Sequence, residues 1–173
     1  MIKYEIKFLD YWHLSSGLSA GSTLDSSVVK DNDGIAYIPG KTIKGLAREM
    51  AEELNDADFV QECFGDKGVK AGKLYFSNAT IEEDTKKQIL EHALQDNLYD
   101  QIASTKINED GIAENKTLRE IEVVIPLTLE GYIDNIPDKH KENVKRSLKL
   151  IKRMGLNRNR GLGRCEVTTK ESK

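Results

Sequence analysis

The chain has 173 residues, 38% of them hydrophobic and 32% charged, with a net charge of −3. That length and balance fit one soluble globular domain, with room for an insertion, able to bury a core. No apolar run is long enough to span a membrane, and the alternating start Met1-Ile2-Lys3-Tyr4-Glu5-Ile6 is strand-like rather than a signal peptide.

Residues 2–14 read as a first strand, rich in Tyr, Ile, Phe and Leu. A Ser/Gly/Asp-rich loop from Ser15 to Gly34 follows, and Asp31-Asn32-Asp33-Gly34 reads as a turn. After Pro39-Gly40 a helix starts near Lys41, with Ile43, Leu46, Ala47, Met50, Ala51 and Leu54 at helical spacing. A second short helix covers Asp56 to Phe64, and Gly72 to Ile81 reads as a strand with Leu74 and Phe76 on one face. Glu82 to Leu98 has helical composition, and the polar stretch 102–117 has no period.

Glu120 to Ile133 reads as one long strand, with Pro126 arguing for an edge or a bulge. Asp138 to Met154 is a basic helix whose buried stripe is Val144, Leu148, Ile151 and Leu150. Asp138 is placed to cap it and Gly155 to end it. Cys165 to Thr169 closes the chain as a strand. The resulting order is β-α-β-β-α-β, the split βαβ arrangement of ferredoxin-like and RNA-recognition folds, an α+β class. The whole chain, 1–173, reads as one such domain with insertions at about 15–38 and 82–117. Long insertions on a small scaffold usually carry function.

Charge is unevenly spread. Residues 139–164 hold ten Lys and Arg against the single acid Glu142, a segment of +9 in a chain of −3. It ends in Gly155-Leu156-Asn157-Arg158-Asn159-Arg160-Gly161-Leu162-Gly163-Arg164. Glycine lets backbone approach a ligand closely, and arginine grips phosphate with two parallel hydrogen bonds. Lys41, Thr42 and Lys44 lie at a helix N-terminus, with Arg48 one turn on, a pattern suited to an anion. His13 lies at a strand end beside Trp12, open to packing, RNA contact or acid–base chemistry. His92 and His140 read as surface residues in charged helical surroundings. Cys63 and Cys165 lack metal or disulfide spacing, which predicts reduced thiols, a cytoplasmic setting and no structural metal site.

Several segments, in order, resemble one family. Ser16-Gly17-Leu18 with Gly21 opens the first loop, and Leu24-Asp25-Ser26-Ser27-Val28-Val29-Lys30-Asp31 follows it. Tyr37-Ile38-Pro39-Gly40-Lys41-Thr42-Ile43-Lys44-Gly45-Leu46-Ala47-Arg48 is similar to the pattern IPGSSLKGxxR. Cys63-Phe64-Gly65 is similar to LFG, Gly72-Lys73-Leu74-Tyr75-Phe76-Ser77-Asn78-Ala79 to GxLxFxDA, and Gly155 to Val167 to GxxxSRGxGxV. Together they resemble the RAMP superfamily of CRISPR-associated proteins, and within it the target-cleaving backbone subunit of type III (Csm/Cmr) effector complexes. Ser26-Ser27 stands where that family often has Ser-Pro, and Arg158-Asn159-Arg160 where it has Ser-Arg.

The resemblance implies a ferredoxin-like palm with a thumb-like hairpin, here residues 102–119, whose Ile107, Ile112 and Leu118 would wedge against a guide–target duplex. It implies Asp25 as the catalytic residue and Mg²⁺ or a similar divalent cation for cleavage. The RNA-binding set would be His13, Lys41, Thr42, Lys44, Arg48, Arg158, Arg160, Gly161, Gly163 and Arg164. Expected partners are guide RNA, target RNA, other effector subunits and further copies of the chain along the guide, with no membrane. Three other readings stand beside it: a non-catalytic RAMP subunit for guide binding and assembly, a metal-independent guide-processing endoribonuclease using His13, and a ferredoxin-like protein-interaction domain.

Overall fold

The computed structural model describes residues 1–17, 24–54, 56–66, 70–115 and 117–171. In β1 (Ile2–Phe8), Ile2, Tyr4, Ile6 and Phe8 are buried while Lys3 and Lys7 are exposed. That period of two directs one face of a sheet toward a core. Antiparallel partners flank β1 on both sides: β5 (Thr128–Asp134), with Ile6 opposite Leu129, and β6 (Cys165–Glu171), with Ile6 opposite Val167. The short β2 (Tyr75–Phe76) adds to β5, giving the order β2-β5-β1-β6. With α1 (Gly40–Glu52) and α4 (Lys141–Leu150) packed on each other over this sheet, the chain traces the ferredoxin-like βαββαβ palm. Ile43, Ala47 and Ala51 of α1 and Val144, Ser147 and Leu148 of α4 face inward, each set spaced by about one helical turn. α2 (Ala57–Phe64) follows α1, its first turn capped by Asp56, whose carboxylate accepts the Phe59 N–H at 3.0 Å.

Between β2 and β5 the chain leaves the palm, forms α3 (Glu83–Glu91), and then a hairpin of β3 (Tyr99–Ser104) and β4 (Arg119–Val124). Ile107, Ile112 and Leu118 lie in its tip, 60%, 64% and 63% exposed.

Five expectations about elements need revision. The first strand stops at Phe8, because Leu9 to Tyr11 turn away to bond residues 163 and 164: Leu9 N–H donates to the Arg164 carbonyl and Gly163 N–H to the Tyr11 carbonyl. The 72–81 strand is regular only at Tyr75–Phe76, because the Ser77 hydroxyl takes the Tyr132 N–H and Asn78 turns its side chain to the first N–H of α1. The single strand expected over 120–133 is two strands in two sheets, divided at Pro126, whose missing N–H cannot continue a ladder.

The helix expected over 82–98 ends at Glu91, with Ala93 at φ +51 and a 3₁₀ turn over Gln95–Leu98. The basic helix is shorter than 138–154. A 3₁₀ turn over Asp138–His140 precedes α4, and after Leu150 the chain turns extended, because residues 152–154 bridge back to 163–165. Asp138 makes no side-chain cap and pairs with Lys141 at 2.7 Å, and Leu150 lies 43% exposed.

Both thiols are free and buried, and burial pushes them up to about 11 at Cys63 and about 12 at Cys165, so they stay protonated and unreactive near neutrality. No helix among the described residues is long and apolar enough to cross a membrane.

Candidate nucleic-acid interface

Asp25 lies exposed on an extended segment that follows residues 18–23, so Leu18 and Gly21 of the first motif lie outside the described residues. What holds Asp25 is β4. Its N–H donates to the Glu120 carbonyl at 2.9 Å, and its Oδ2 accepts the Glu120 N–H at 2.8 Å. One residue on, Ser26 bridges Ile121 in parallel. The segment thus runs as a partial third strand beside the hairpin.

The Gly155–Arg164 loop is folded onto the turn after β1. Leu156 N–H donates to the His13 carbonyl at 2.8 Å, and Gly163 N–H to the Tyr11 carbonyl at 2.8 Å. Gly155, at φ +96, has no room for a side chain: a Cβ there would overlap the His13 carbonyl oxygen, and one on Gly163, at φ +70, would overlap that of Met154. Gly161, at φ +93, faces open space. Two of the three glycines therefore serve close packing, and the third leaves its backbone accessible.

This docking brings the loop to Asp25. A groove of about 500 Å³ is lined by Asp25, by Ser104, Thr105, Lys106, Thr117, Leu118 and Arg119 of the hairpin, and by Arg160 of the glycine loop. Asp25 is the one acid among the lining residues, which include Arg119, Arg160 and Lys106, the last paired outside the lining with Glu114 at 2.9 Å. The groove lies where palm, loop and hairpin meet. Arg119 and Lys106 were not singled out in the sequence. They lie within the predicted hairpin but far from Asp25 along the chain, and only the fold joins them.

The other expected site residues divide. His13 is 0% exposed: its Nδ1 donates to the Glu122 carbonyl and its Nε2 lies 3.0 Å from Ser26 Oγ. A backbone carbonyl only accepts, so Nδ1 carries a proton. The helix N-terminus is largely spent. Gly40 N–H donates to Asn78 Oδ1 at 2.9 Å, the Thr42 and Ile43 N–H groups both turn to the Pro39 carbonyl, and Pro39 itself offers no side-chain cap. Lys44 is half-buried with Nζ 2.7 Å from the Leu74 carbonyl, and burial lowers its pKa. Arg48 pairs with Glu52 at 3.0 Å. Lys41 is exposed.

The two cationic features do not converge. Arg158 reaches Glu49 at 3.7 Å, near the far end of α1 from Lys41, about 12 Å away along the helix axis. Arg164 is exposed, with Asp10 at 3.5 Å from its Nε.

His140 is not a surface residue as expected. It is buried, its ring against Phe59 and its Nε2 3.1 Å from Glu62. With Asp58 it completes a group whose ligand atoms lie within 4.8 Å of one another. Lys139 Nζ sits 2.7 Å from Asp58 and 2.8 Å from Glu62, so that site already has its cation, and it ties α2 to the start of α4.

Comparison with known proteins agrees with this architecture. The family model "RAMP superfamily" matches residues 5–166. A chain of the type III-B Cmr-beta cryo-EM structure bound to cognate target RNA superposes with a TM-score of 0.75 at 10% identity, covering 97% of this chain and 96% of the other. A chain of type III-B Cmr-beta in the apo state gives 0.73 at 14% identity, over 99% and 97%. At such identities the likeness is one of fold. No curated protein matches the chain.

Proposed function

The chain belongs to the RAMP superfamily, and on that premise we propose that it is a subunit of a type III RNA-guided CRISPR effector complex, binding guide RNA along its backbone and cleaving complementary target RNA at Asp25. The observation that carries this reading is the groove that joins Asp25 to Arg160, Arg119 and Lys106. Chain cleavage within RNA needs the 2′-hydroxyl aligned with the adjacent phosphate and the developing charge stabilised. Asp25 is placed to orient or deprotonate that hydroxyl, and the three cations to hold the phosphate oxygens.

Mg²⁺ ordinarily takes one or two carboxylates, with water and substrate phosphate completing its shell. Asp25 supplies one such carboxylate, in a groove whose Arg160, Arg119 and Lys106 would draw in the substrate phosphate, and a bound ion would add charge stabilisation there.

Guide contacts fall to the exposed cations Lys41, Arg160 and Arg164, to the half-buried Arg158 beside Glu49, and to the open backbone at Gly161. Such contacts carry no base information, which suits a protein whose specificity comes from base pairing. The bonds of Lys44 and Arg48 within the palm, and the packing of His13 and Gly163, give those residues a supporting role. The exposed Ile107, Ile112 and Leu118 supply an apolar wedge for the duplex.

A second groove, about 480 Å³, is lined by Glu52, Asp56 and Asp66 among others. It offers an acidic face for the basic segment of a neighbouring copy along the guide, alongside other effector subunits. Full burial of His13, with both ring nitrogens engaged, disfavours the guide-processing alternative.

The test is Asp25→Ala in the assembled, guide-loaded complex with a labelled complementary target. Lost cleavage with retained guide and target binding supports the reading. Unchanged cleavage rejects Asp25, and a wild-type complex that binds target without cutting it selects the non-catalytic RAMP subunit.

A further inference from the structure

Asp25 itself is hydrogen-bonded to β4, residues 14–16 flank the far edge of its segment (Ser16 N–H to the Ser27 carbonyl, Val29 N–H to the Leu14 carbonyl), and the β4 residue with the most bonds to that segment is Glu122. Its N–H donates to the Ser26 carbonyl at 3.1 Å, and its carbonyl accepts from His13 Nδ1. Its Oε2 accepts the Val28 N–H at 2.9 Å, and its Oε1 pairs with Lys30 Nζ at 2.8 Å. The Glu122 side chain is 13% exposed, so it has given up most of its water for these partners. Lys30 in turn lies 3.6 Å over the Tyr99 ring of β3, and His13 Nε2 holds Ser26 from the other side.

Glu122 therefore grips residues 26, 28 and 30, and Glu120, two residues back on the same strand, grips Asp25 itself. Nothing else this dense ties the Asp25 segment to the hairpin among the described residues.

We infer that Glu122 is a positioning residue for Asp25: it clamps the catalytic segment to the thumb hairpin, so the two move as one body and a duplex seated by the thumb meets Asp25 in register. The inference rests on Asp25 being the cleaving residue. It assigns Glu122 no contact with RNA.

The experiment compares wild type, Glu122→Ala, Glu122→Gln and Asp25→Ala in the guide-loaded complex. It measures target affinity, single-turnover cleavage, thermal midpoint and hydrogen exchange at the Val28 amide. A misplacement near 1 Å costs about 100-fold in rate. Glu122→Ala is therefore expected to cut about 100-fold more slowly, with target and guide affinities within about twofold of wild type and faster exchange at Val28. Glu122→Gln, whose amide oxygen can still accept the Val28 N–H, is expected to fall between.

If Glu122→Ala cuts at the wild-type rate, the clamp is overturned. It is equally overturned if guide affinity, thermal midpoint and cleavage fall together in both variants, since Glu122 then serves stability alone. Should Glu122→Ala fail to fold, the rate and exchange of Glu122→Gln decide. Undiminished cleavage by Asp25→Ala would instead remove the reading beneath the clamp.

Discussion

In the palm, β1 is hydrogen-bonded along both edges and its buried face lies under α1 and α4. In the thumb, β3 and β4 pair with each other, β4 is bonded along its outer edge by Trp12, His13 and residues 25–28, and the tip is largely exposed. The palm is fixed by burial, which is worth about 25 cal/mol per Å² of apolar surface and is spread over many side chains. The groove region is fixed by individual hydrogen bonds, each contributing about 1 kcal/mol net. One teaches how the molecule stays folded, the other how a few bonds decide where Asp25 sits. Substitutions should therefore separate the regions: stability effects in the palm, rate effects in the groove.

The largest expected effect is at Asp25. Replacement by Ala should slow target cleavage by about 1000-fold, at the scale of a lost general base, while the thermal midpoint holds within the scatter of a surface change. A large fall in midpoint would mean the groove is also structural and would dissolve the contrast. Next comes Gly163→Ala. Its Cβ has no space and its backbone is left-handed, so a loss of about 3 kcal/mol and a midpoint lowered by roughly 10 °C follow by calorimetry. Gly161→Ala, with open space around it, should cost only about 1 kcal/mol. Equal losses at the two glycines would show that conformation, not packing, governs the loop.

Smaller again is Arg160→Ala. It should weaken RNA binding evenly across sequences and lower the salt slope by about 0.7, read from affinities at several ionic strengths. An unchanged slope removes Arg160 from the interface.

The smallest effect concerns Glu62. The hydrogen bond from Lys139, then that from Lys73, hold its carboxyl near 2 instead of 4.5. A depressed folded-state pKa gives stability that is present above about 4.5 and lost as pH falls toward 2. Glu62→Gln should accordingly flatten the acid limb of unfolding in that window. An identical limb would leave the α2–α4 tie without weight.

Much of the palm is legible in the sequence because burial imposes a period. Ile2, Tyr4, Ile6 and Phe8 alternate, and Ile43, Ala47 and Ala51 return at each helical turn. Element ends were less legible, because they depend on remote partners: the strand expected to reach residue 14 yields at Leu9 to residues 163 and 164. Pro126 reads as an edge or a bulge within one strand, whereas it divides two strands that join different sheets. Asp25 was legible only through resemblance, since a single loop carboxylate has no pattern of its own. Its neighbours Arg119, Lys106 and Glu122 were not, because side-chain clustering between residues almost a hundred positions apart leaves no local trace. The opposite error arose at the start of α1, where a motif that suits an anion is consumed by Asn78 and Pro39.

The strand order has a consequence for how the chain is made. β1 is central, yet its two neighbours are β5 and β6, so this apolar strand waits for residues 128–134 to cover one edge and 165–171 to cover the other. Pairings this distant in sequence close slowly, typically in milliseconds to seconds. At roughly 5–20 residues per second, ribosomal elongation leaves β1 unpartnered for several seconds more. Four side chains that end buried, Ile2, Tyr4, Ile6 and Phe8, are thus without their partners through most of synthesis, a vulnerability of the nascent chain that the finished fold no longer carries.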